Sequence, residues 1–182
     1  MTVEPTPIAG LVVVVPKVFG DDRGFFFESF NRRDLEAALS RSLDFVQDNH
    51  SRSRRGVLRG LHYQQPSPQG KLVRAVRGEI FDVAVDLRRG SPTVGRWHAE
   101  RLTAGNKRQL WVPEGFAHGF LVLSEEAEVL YKTTAYYAPA TERSIRWDDP
   151  ALAIAWPDLG VAPALSAKDA AGVPFADAPL FD

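Results

Sequence analysis

The sequence predicts an all-β protein, a sandwich or barrel of many short strands with a few short helices. Short runs rich in β-branched and aromatic residues recur along the chain between turn signals. The connections between these runs are brief, and no repeat of fixed period is present. At 182 residues, 45% hydrophobic and 25% charged, the chain has the size and composition of one globular domain. We therefore expect a single domain over residues 1–182.

The predicted strands follow one another between residues 11 and 134. They lie at 11–15, 25–30, 44–47, 57–64, 71–77, 80–87, 96–103, 108–112, 118–123 and 128–134. The segment IFDVAVDL (80–87) shows the clearest period of two, because Asp82 and Asp86 share the face opposite its large apolar residues. Gly78 and Glu79 predict a tight hairpin turn into it from the preceding strand.

Helical patterns are few. The segment NRRDLEAALSR (31–41) predicts one helix, because Asn31 can cap its start and Leu35, Ala38 and Leu39 share one face. A second helical turn is expected to start at Ser166. From about residue 136 the chain is rich in Pro, Ala and Asp and shows little periodicity, so we expect a C-terminal tail (about 136–182) packed over the β core.

Charge and composition exclude several function classes. Lys and Arg number 22 against 23 Asp and Glu, without long blocks of one sign, which argues against nucleic acid or an anionic membrane as the main partner. The absence of cysteine excludes disulfides, thiolate zinc sites and cysteine nucleophiles. The N-terminal sequence shows no signal-peptide pattern, and no apolar run approaches a membrane span, so we expect a cytoplasmic protein.

Two of the four histidines have sequence surroundings that suggest chemistry. His62 lies close to Arg59 and Lys71, a set of cations that suits an anionic ligand. His118 lies between Phe116 and Phe120 with glycines on both sides. Either imidazole could instead be a satisfied polar group in the wall of the barrel, whereas His50 and His98 are expected at the surface.

Metal binding is an alternative use for histidines inside a small β barrel. Such sites often contain a His-x-His pair on one strand, but Tyr63 and Gln64 follow His62. The two histidines could still meet Glu79 or Glu128 in space, although no spacing requires it. The sequence favours a site without a metal.

Two further residues each have two interpretations. Tyr131 shares a strand face with Val129 and Thr133, so its ring could reach a cavity or simply fill the core. Asp169 completes the Ser-x-x-Asp pattern that begins at Ser166, which predicts a capping box. Its carboxylate could instead orient an imidazole and stabilise the protonated form.

Eight sequence blocks between about 11 and 170 resemble one known family. They are FGDDRGFFFESF, FVQDNHS, RGVLRGLHYQ, QGKLVRAVRGEIFDVAVDLRRGSPT, VPEGFAHGF, EVLYKTTAYYAP, IRWDDP and LSAKD. The chain is similar to the dTDP-4-dehydrorhamnose 3,5-epimerases, whose fold is a cupin-type jelly roll. The resemblance implies epimerisation of dTDP-4-dehydro-6-deoxy-D-glucose at C3 and C5 to dTDP-4-dehydro-β-L-rhamnose, by a homodimer that uses no cofactor.

The resemblance also implies roles for individual residues. His62 would be the general base, Asp169 its orienting partner and Tyr131 the general acid, with Lys71 facing the keto oxygen of the sugar. Tyr137 matches the aromatic residue that stacks on thymine. Other matching positions would hold the nucleotide-sugar: Arg23, Glu28, Gln47, Asp48, Asn49, Arg59, His118, Glu142 and Lys168.

Three points stay open in the sequence. Strict alternation puts Arg59 on the face opposite His62, so either Gly60 permits a bulge or Arg59 serves the pyrophosphate at the rim or a partner's site. Val94 and Tyr63 depart from the family pattern, in which aromatic and Phe residues are usual. A 3-only or 5-only epimerase, a ketoisomerase, a metal-dependent cupin and a non-catalytic nucleotide-sugar-binding protein remain alternatives.

Overall fold

The computed structural model describes residues 1–182, which form thirteen short strands and two short α-helices. The strands are β1 Thr2–Pro5, β2 Val12–Val15, β3 Val18–Asp21, β4 Gly24–Phe27, β5 Gln47–Arg54, β6 Leu58–Gln64, β7 Lys71–Arg77, β8 Glu79–Asp86, β9 Trp97–Thr103, β10 Gln109–Val112, β11 Phe116–Val122, β12 Glu126–Thr133 and β13 Glu142–Ser144. The helices are α1 Arg32–Leu39 and α2 Ala167–Ala170, and single 3₁₀ turns lie at Pro139–Thr141 and Phe175–Asp177.

Two antiparallel sheets pack face to face. The larger sheet has the strand order β1-β2-β10-β7-β12-β5, and the smaller has the order β13-β6-β11-β8-β9. Buried side chains from both inner faces form the main core, with Val73 and Val129 from the larger sheet and Ile80 and Phe120 from the smaller. This arrangement confirms the predicted all-β sandwich with a few short helices.

The turn at Gly78 connects the two sheets. The expected hairpin between 71–77 and 80–87 is wrong, because β7 pairs with β10 and β12 whereas β8 pairs with β9 and β11. Gly78 has a φ of 69°, and a Cβ on it would lie 2.0 Å from the carbonyl oxygen of Glu126. Only glycine fits this corner, where the chain passes from one sheet to the other.

Strand β5 also departs from expectation. A strand was expected at 44–47, but β5 spans Gln47–Arg54, a segment with the polar sequence QDNHSRSR. Every second residue, beginning at Gln47, is at least partly buried, and the residues between them are exposed. The strand is at one edge of the larger sheet and pairs along its whole length with β12, so its polar inner face lies at the cavity described below.

Helix α1 follows the sequence prediction closely. The side chain of its N-cap, Asn31, accepts a hydrogen bond from the backbone N–H of Asp34. Its buried residue Leu35 packs with Leu72 and Trp111 on the outer face of the larger sheet. The helix therefore covers apolar residues that the sheet would otherwise expose.

The segment after residue 136 covers the outer face of the smaller sheet. Leu152 and Ala178 pack against Val83 and Val85 in a second apolar cluster. Tyr63, the departure from the family's usual Phe, donates its hydroxyl to the carbonyl oxygen of Pro179 at 3.0 Å. That hydroxyl therefore helps to hold the tail, and α2, which lies within the tail, contacts β6.

Strands β3 and β4 form a separate two-stranded hairpin. Its side chains include three exposed aromatic rings, those of Phe19, Phe25 and Phe26, with 53%, 61% and 68% of their surface accessible. No helix in the structure is long and apolar enough to span a membrane. The β3–β4 hairpin therefore presents large apolar side chains to solvent.

Candidate active site

A cavity of about 350 Å³ lies between the two sheets at the end where β5, β6, β11 and β12 approach one another. Polar side chains dominate its lining, which consists of Gln47, Asn49, Ser51, Arg59, His62, Tyr63, Gln64, Gln69, Lys71, His118, Phe120, Tyr131, Tyr137, Glu142 and Lys168. Eleven residues of this lining are polar or charged, which suits a polar ligand of moderate size.

His62 and Asp169 form a close pair at the wall of this cavity. Nε2 of His62 lies 2.6 Å from Oδ1 of Asp169, at an oblique angle. Asp169 is 4% exposed, and its carboxylate also accepts hydrogen bonds from the backbone N–H of Gly60 and the hydroxyl of Ser166. Burial alone would raise the pKa of Asp169, but the His62 contact and these hydrogen bonds outweigh it and hold the pKa below its usual value.

The geometry is compatible with both interpretations of Asp169 at once. Oδ2 accepts the Ser166 hydroxyl within a complete capping box at the start of α2, while Oδ1 faces His62. The same short helix that the sequence predicts at Ser166 delivers an ionised carboxylate to the imidazole. An anionic partner of this kind stabilises an imidazolium and fixes the orientation of the ring.

A bulge in β6 brings Arg59 to the same cavity as His62. His62 pairs with His118 and Arg59 with Phe120, so β6 uses one residue more than β11 between these pairs. A Cβ on Gly60 would lie 2.5 Å from Cα of Gly119, so this close approach of the two strands requires glycine. The bulge is the explanation that the sequence left open, and it resolves the conflict with strict alternation.

Lys71 is a buried cation on the opposite sheet. Its side chain is on β7, is 7% exposed and reaches across to the backbone carbonyl oxygen of His62 at 3.5 Å. Burial lowers the pKa of Lys71 to about 8, although the charges of Asp82 and Glu142 act in the opposite direction. No carboxylate lies within ion-pair distance, so the ammonium group is available to an anionic oxygen in the cavity.

Tyr131 reaches the cavity from the larger sheet. It lies on β12 between Asn49 of β5 and Val73 of β7, whereas His62 lies on the smaller sheet. Burial raises the pKa of Tyr131, against the nearby charge of Arg59 and together with that of Glu142. The phenol therefore holds its proton at neutral pH, and Tyr131 lines the cavity from the larger sheet whereas His62 lines it from the smaller sheet.

His118 has its own carboxylate partner, which the sequence analysis did not assign to the site. Nε2 of His118 is hydrogen-bonded to Oδ1 of Asp82 at 2.8 Å, and both side chains are buried. Asp82 lies on β8 at the register position opposite Phe120. The alternation in IFDVAVDL places Asp82 on the inner face, but no sequence spacing links it to His118.

The mouth of the cavity contains a linked group of polar side chains. Glu142 forms an ion pair with Lys168 and accepts a hydrogen bond from the Tyr137 hydroxyl at 2.6 Å. Gln47 accepts a hydrogen bond from the backbone N–H of Tyr137 at 2.9 Å. The ring of Tyr137, which is 50% exposed, is therefore held at the entrance, with the ammonium group of Lys168 5.9 Å from its centroid.

Three predicted binding residues lie outside this cavity. Arg23 and Glu28 belong to the β3–β4 hairpin and the turn after it, and both are exposed. Asp48 lies on the exposed face of β5, where its carboxylate forms an ion pair with Lys132 at 2.9 Å. These three assignments stay predictions, and the chain's own cavity does not include them.

Acidic side chains do not gather around the histidines. Glu79 forms an ion pair with Arg101, and Glu128 forms one with His50. No group of three or more His, Asp or Glu side chains converges in the structure. The groups that line the cavity are suited to binding a polar organic ligand and transferring its protons.

Comparison with known proteins identifies the family. The family model described as dTDP-4-dehydrorhamnose 3,5-epimerase matches residues 5–177. The chain belongs to this family. It is therefore an isomerase that epimerises a dTDP-4-keto sugar, as the sequence resemblance implies.

Individual relatives of this epimerase agree with the family match. The dTDP-4-dehydrorhamnose 3,5-epimerase of Pseudomonas aeruginosa is 65% identical over 174 residues, which are 96% of each chain. The crystal structure of the 3,5-epimerase from Legionella pneumophila in complex with dTDP-4-keto-L-rhamnose has a TM-score of 0.95 and 53% identity, covering 98% of this chain and 94% of that one. The implied cupin-type jelly roll is thereby confirmed.

A relative with a narrower activity is more distant. A 3'-monoepimerase from Streptomyces bikiniensis, crystallised with dTDP-quinovose, shares 37% identity at a TM-score of 0.89, covering 97% of this chain and 88% of that chain. Its fold is nearly the same, so fold alone does not separate one epimerised carbon from two.

Proposed function

We propose that this isomerase inverts both C3 and C5 of dTDP-4-dehydro-6-deoxy-D-glucose, with His62 as general base and Tyr131 as general acid. The observation that supports this assignment is their placement on opposite sheets, on either side of one cavity. Inversion requires a proton to leave one face of the sugar and another to arrive at the opposite face. A base and an acid on opposite walls meet that requirement.

Lys71 makes the deprotonation feasible. Hydrogens next to a ketone are much weaker acids than imidazolium, so His62 can remove them only if the enolate is stabilised as it forms. The buried ammonium group of Lys71, directed into the cavity, provides a positive charge for the C4 oxygen where negative charge develops. Asp169 acts as the positioning residue that stabilises the imidazolium of His62.

The proton balance of one turnover is complete without a cofactor. His62 accepts the proton of the C–H bond, the electron pair moves onto the C4 oxygen, and the Tyr131 hydroxyl returns a proton to carbon from the other face. The tyrosinate then regains a proton as the imidazolium loses one, directly or through solvent. The cycle is repeated at the second carbon, because both carbons flank the same ketone.

The nucleotide part of the substrate is proposed to bind towards the mouth. Arg59 and Lys168 bring positive charge to the cavity, and the exposed ring of Tyr137 offers a stacking face for thymine. In this arrangement the thymine base lies at the entrance and the sugar lies deeper, between His62 and Tyr131. The proposed cellular compartment of the enzyme is the cytoplasm.

We further propose a homodimer in which the β3–β4 hairpin contacts the partner subunit. An interface would bury the exposed phenylalanines of the hairpin. Arg23 and Glu28 lie on or beside the hairpin, outside the cavity of their own chain. If they complete the partner's site, mixed dimers of Arg23→Ala and His62→Ala chains regain activity at about a quarter of all sites. A monomeric mass in light scattering contradicts the dimer, and no recovery of activity after subunit exchange contradicts the placement of Arg23 in the partner's site.

The test of the proposed reaction is incubation of dTDP-4-dehydro-6-deoxy-D-glucose with the protein in deuterated water, followed by NMR. We expect deuterium at both C3 and C5 and a product with the L-configuration. Deuterium and inversion at C3 alone would assign the chain to the mono-epimerases. Binding of the sugar without any exchange would leave it a nucleotide-sugar-binding protein.

A further inference from the structure

Residues 135–138, here called the tyrosine segment, follow β12 and have no strand partner. The segment contains Tyr136 and Tyr137, whose rings are both exposed. Four of its backbone groups are instead hydrogen-bonded to side-chain amides from three parts of the fold, those of Gln47 on β5, Gln64 on β6 and Gln69 in the loop before β7. These amides take the place that a neighbouring strand has in a sheet.

Gln64 makes two of these four bonds. Its Nε2 donates to the carbonyl oxygen of Tyr136 at 3.2 Å and to that of Ser67 at 3.0 Å, and its Oε1 accepts from the N–H of Ala138 at 2.8 Å. The side chain belongs to the wall of the cavity and is 3% exposed. A side-chain amide has two N–H donors, so Gln64 has none left for a ligand. Its amide is committed to the backbone on either side of Tyr137.

Further contacts hold Tyr137 itself. Its backbone N–H donates to Oε1 of Gln47 at 2.9 Å, and its hydroxyl donates to Glu142 at 2.6 Å. Glu142 lies opposite Gln64 in the pairing of β13 with β6. The backbone and the far end of this side chain are therefore both fixed, while the ring stays half exposed at the mouth. A side chain that is ordered before a ligand arrives avoids the loss of conformational freedom that weakens binding.

We propose that Gln64 is a positioning residue for nucleotide binding, which fixes the tyrosine segment so that the ring of Tyr137 is in place before thymine stacks on it. The proposal rests on the proposed function, which assigns thymine to Tyr137. Gln64 acts through Tyr137, so loss of its amide should lower the affinity for ligands that contain thymine. The affinity for diphosphate and the rate of proton transfer should not change.

Hydrogen–deuterium exchange in the absence of nucleotide tests whether Gln64 holds the segment. Gln64→Met keeps a side chain of similar length without a charge and removes all three hydrogen bonds. Gln65→Met is the matched control, because Gln65 donates to the carbonyl oxygen of Leu180 and lies outside the cavity lining. The tyrosine segment should exchange about threefold to tenfold faster in Gln64→Met than in the wild type, and at the wild-type rate in Gln65→Met. Equal exchange in Gln64→Met and the wild type would overturn the proposal.

Calorimetric titration tests the link to the nucleotide. We expect Gln64→Met to bind dTDP and thymidine about threefold to tenfold more weakly, because the ligand must now order the ring, and to bind inorganic diphosphate as the wild type does. In the epimerisation assay the KM should rise by the same factor, and the rate at saturating substrate should stay unchanged. In a double-mutant cycle, Gln64→Met should add nothing to the loss of dTDP affinity in Tyr137→Ala.

Undiminished dTDP binding by Gln64→Met, an equal loss for inorganic diphosphate, a lower rate at saturating substrate, or a loss that adds to that of Tyr137→Ala would each overturn the proposal. If Gln64→Met does not fold, Gln64→Glu keeps the volume and the acceptor for Ala138 and loses only the two donors. Its binding of uncharged thymidine should weaken in the same way, and wild-type affinity for thymidine would again overturn the proposal. Failure of the wild-type protein to bind dTDP would instead overturn the proposed function, and the exchange result does not depend on it.

Discussion

Replacing Lys71 with methionine should make the protein more stable and almost inactive. Lys71 is buried, and its pKa is lowered from 10.5 to about 8 mainly by that burial. One pKa unit corresponds to about 1.4 kcal/mol, so retaining the charged form in the folded state at pH 7 costs about 3 kcal/mol. Methionine fills a similar volume without the charge, so the free energy of unfolding should rise by about 1–3 kcal/mol.

The size of this stability difference changes with pH in a predictable way. Between pH 8 and 10.5 the unfolded chain keeps the Lys71 proton while the folded chain releases it, so wild-type stability rises with pH across that interval. The stability advantage of Lys71→Met should therefore be full below pH 8 and fall towards zero by pH 10.5. Urea unfolding of both proteins at several pH values measures this difference in the free energy of unfolding.

Activity should change in the opposite direction. Loss of the ammonium group removes the positive charge opposite the enolate oxygen, and we expect the rate to fall by about 10²–10³-fold. The wild-type rate should also decline above pH 8, as Lys71 loses its proton, and this decline should be absent from the residual activity of Lys71→Met. The argument would be refuted if Lys71→Met were less stable than the wild type, or if its residual rate declined above pH 8 as the wild-type rate does.

Three further predictions concern the other residues of the site. His62→Ala should abolish deuterium exchange at both C3 and C5 in NMR assays, and exchange that persists at one carbon would reveal a second base. Asp169→Asn keeps the imidazole but loses its anionic partner, so exchange should fall by about 10²–10⁴-fold without disappearing, and an unchanged rate would contradict the role of Asp169. Tyr137→Ala should weaken dTDP binding by about tenfold in calorimetry and leave the rate at saturating substrate nearly unchanged, since the exposed ring takes no part in the proposed proton transfers. A loss confined to that rate would place the thymine elsewhere.

The sequence patterns predict the apolar strands well and the polar strand poorly. Segments such as IFDVAVDL owe their conformation to apolar alternation, which is visible in the sequence. Strand β5 is different, because its inner face meets the cavity and is polar, so hydrophobic periodicity does not mark it. For β5, which supplies Gln47, Asn49 and Ser51 to the cavity, the predicted range of 44–47 is therefore too short and lies too early in the chain.

The sequence patterns also do not predict which strands pair or which distant side chains meet. Gly78 has the sequence of a tight turn, but whether the next strand pairs with the previous one depends on the whole sheet order. The Asp82–His118 pair joins β8 and β11, and no short-range spacing encodes it. By contrast, the Ser-x-x-Asp pattern predicts the capping box at Ser166, and the site reuses the same carboxylate for His62.

The central claim, that His62 and Tyr131 act on opposite faces of the sugar, is tested most directly by Tyr131→Phe in deuterated water. This change removes one hydroxyl and keeps the ring that packs against the core. His62 can still form the enolate and return a deuteron to the original face, so NMR should show exchange with retained configuration and a loss of inverted product of about a hundredfold or more. Inversion at C5 at the wild-type rate would contradict the account.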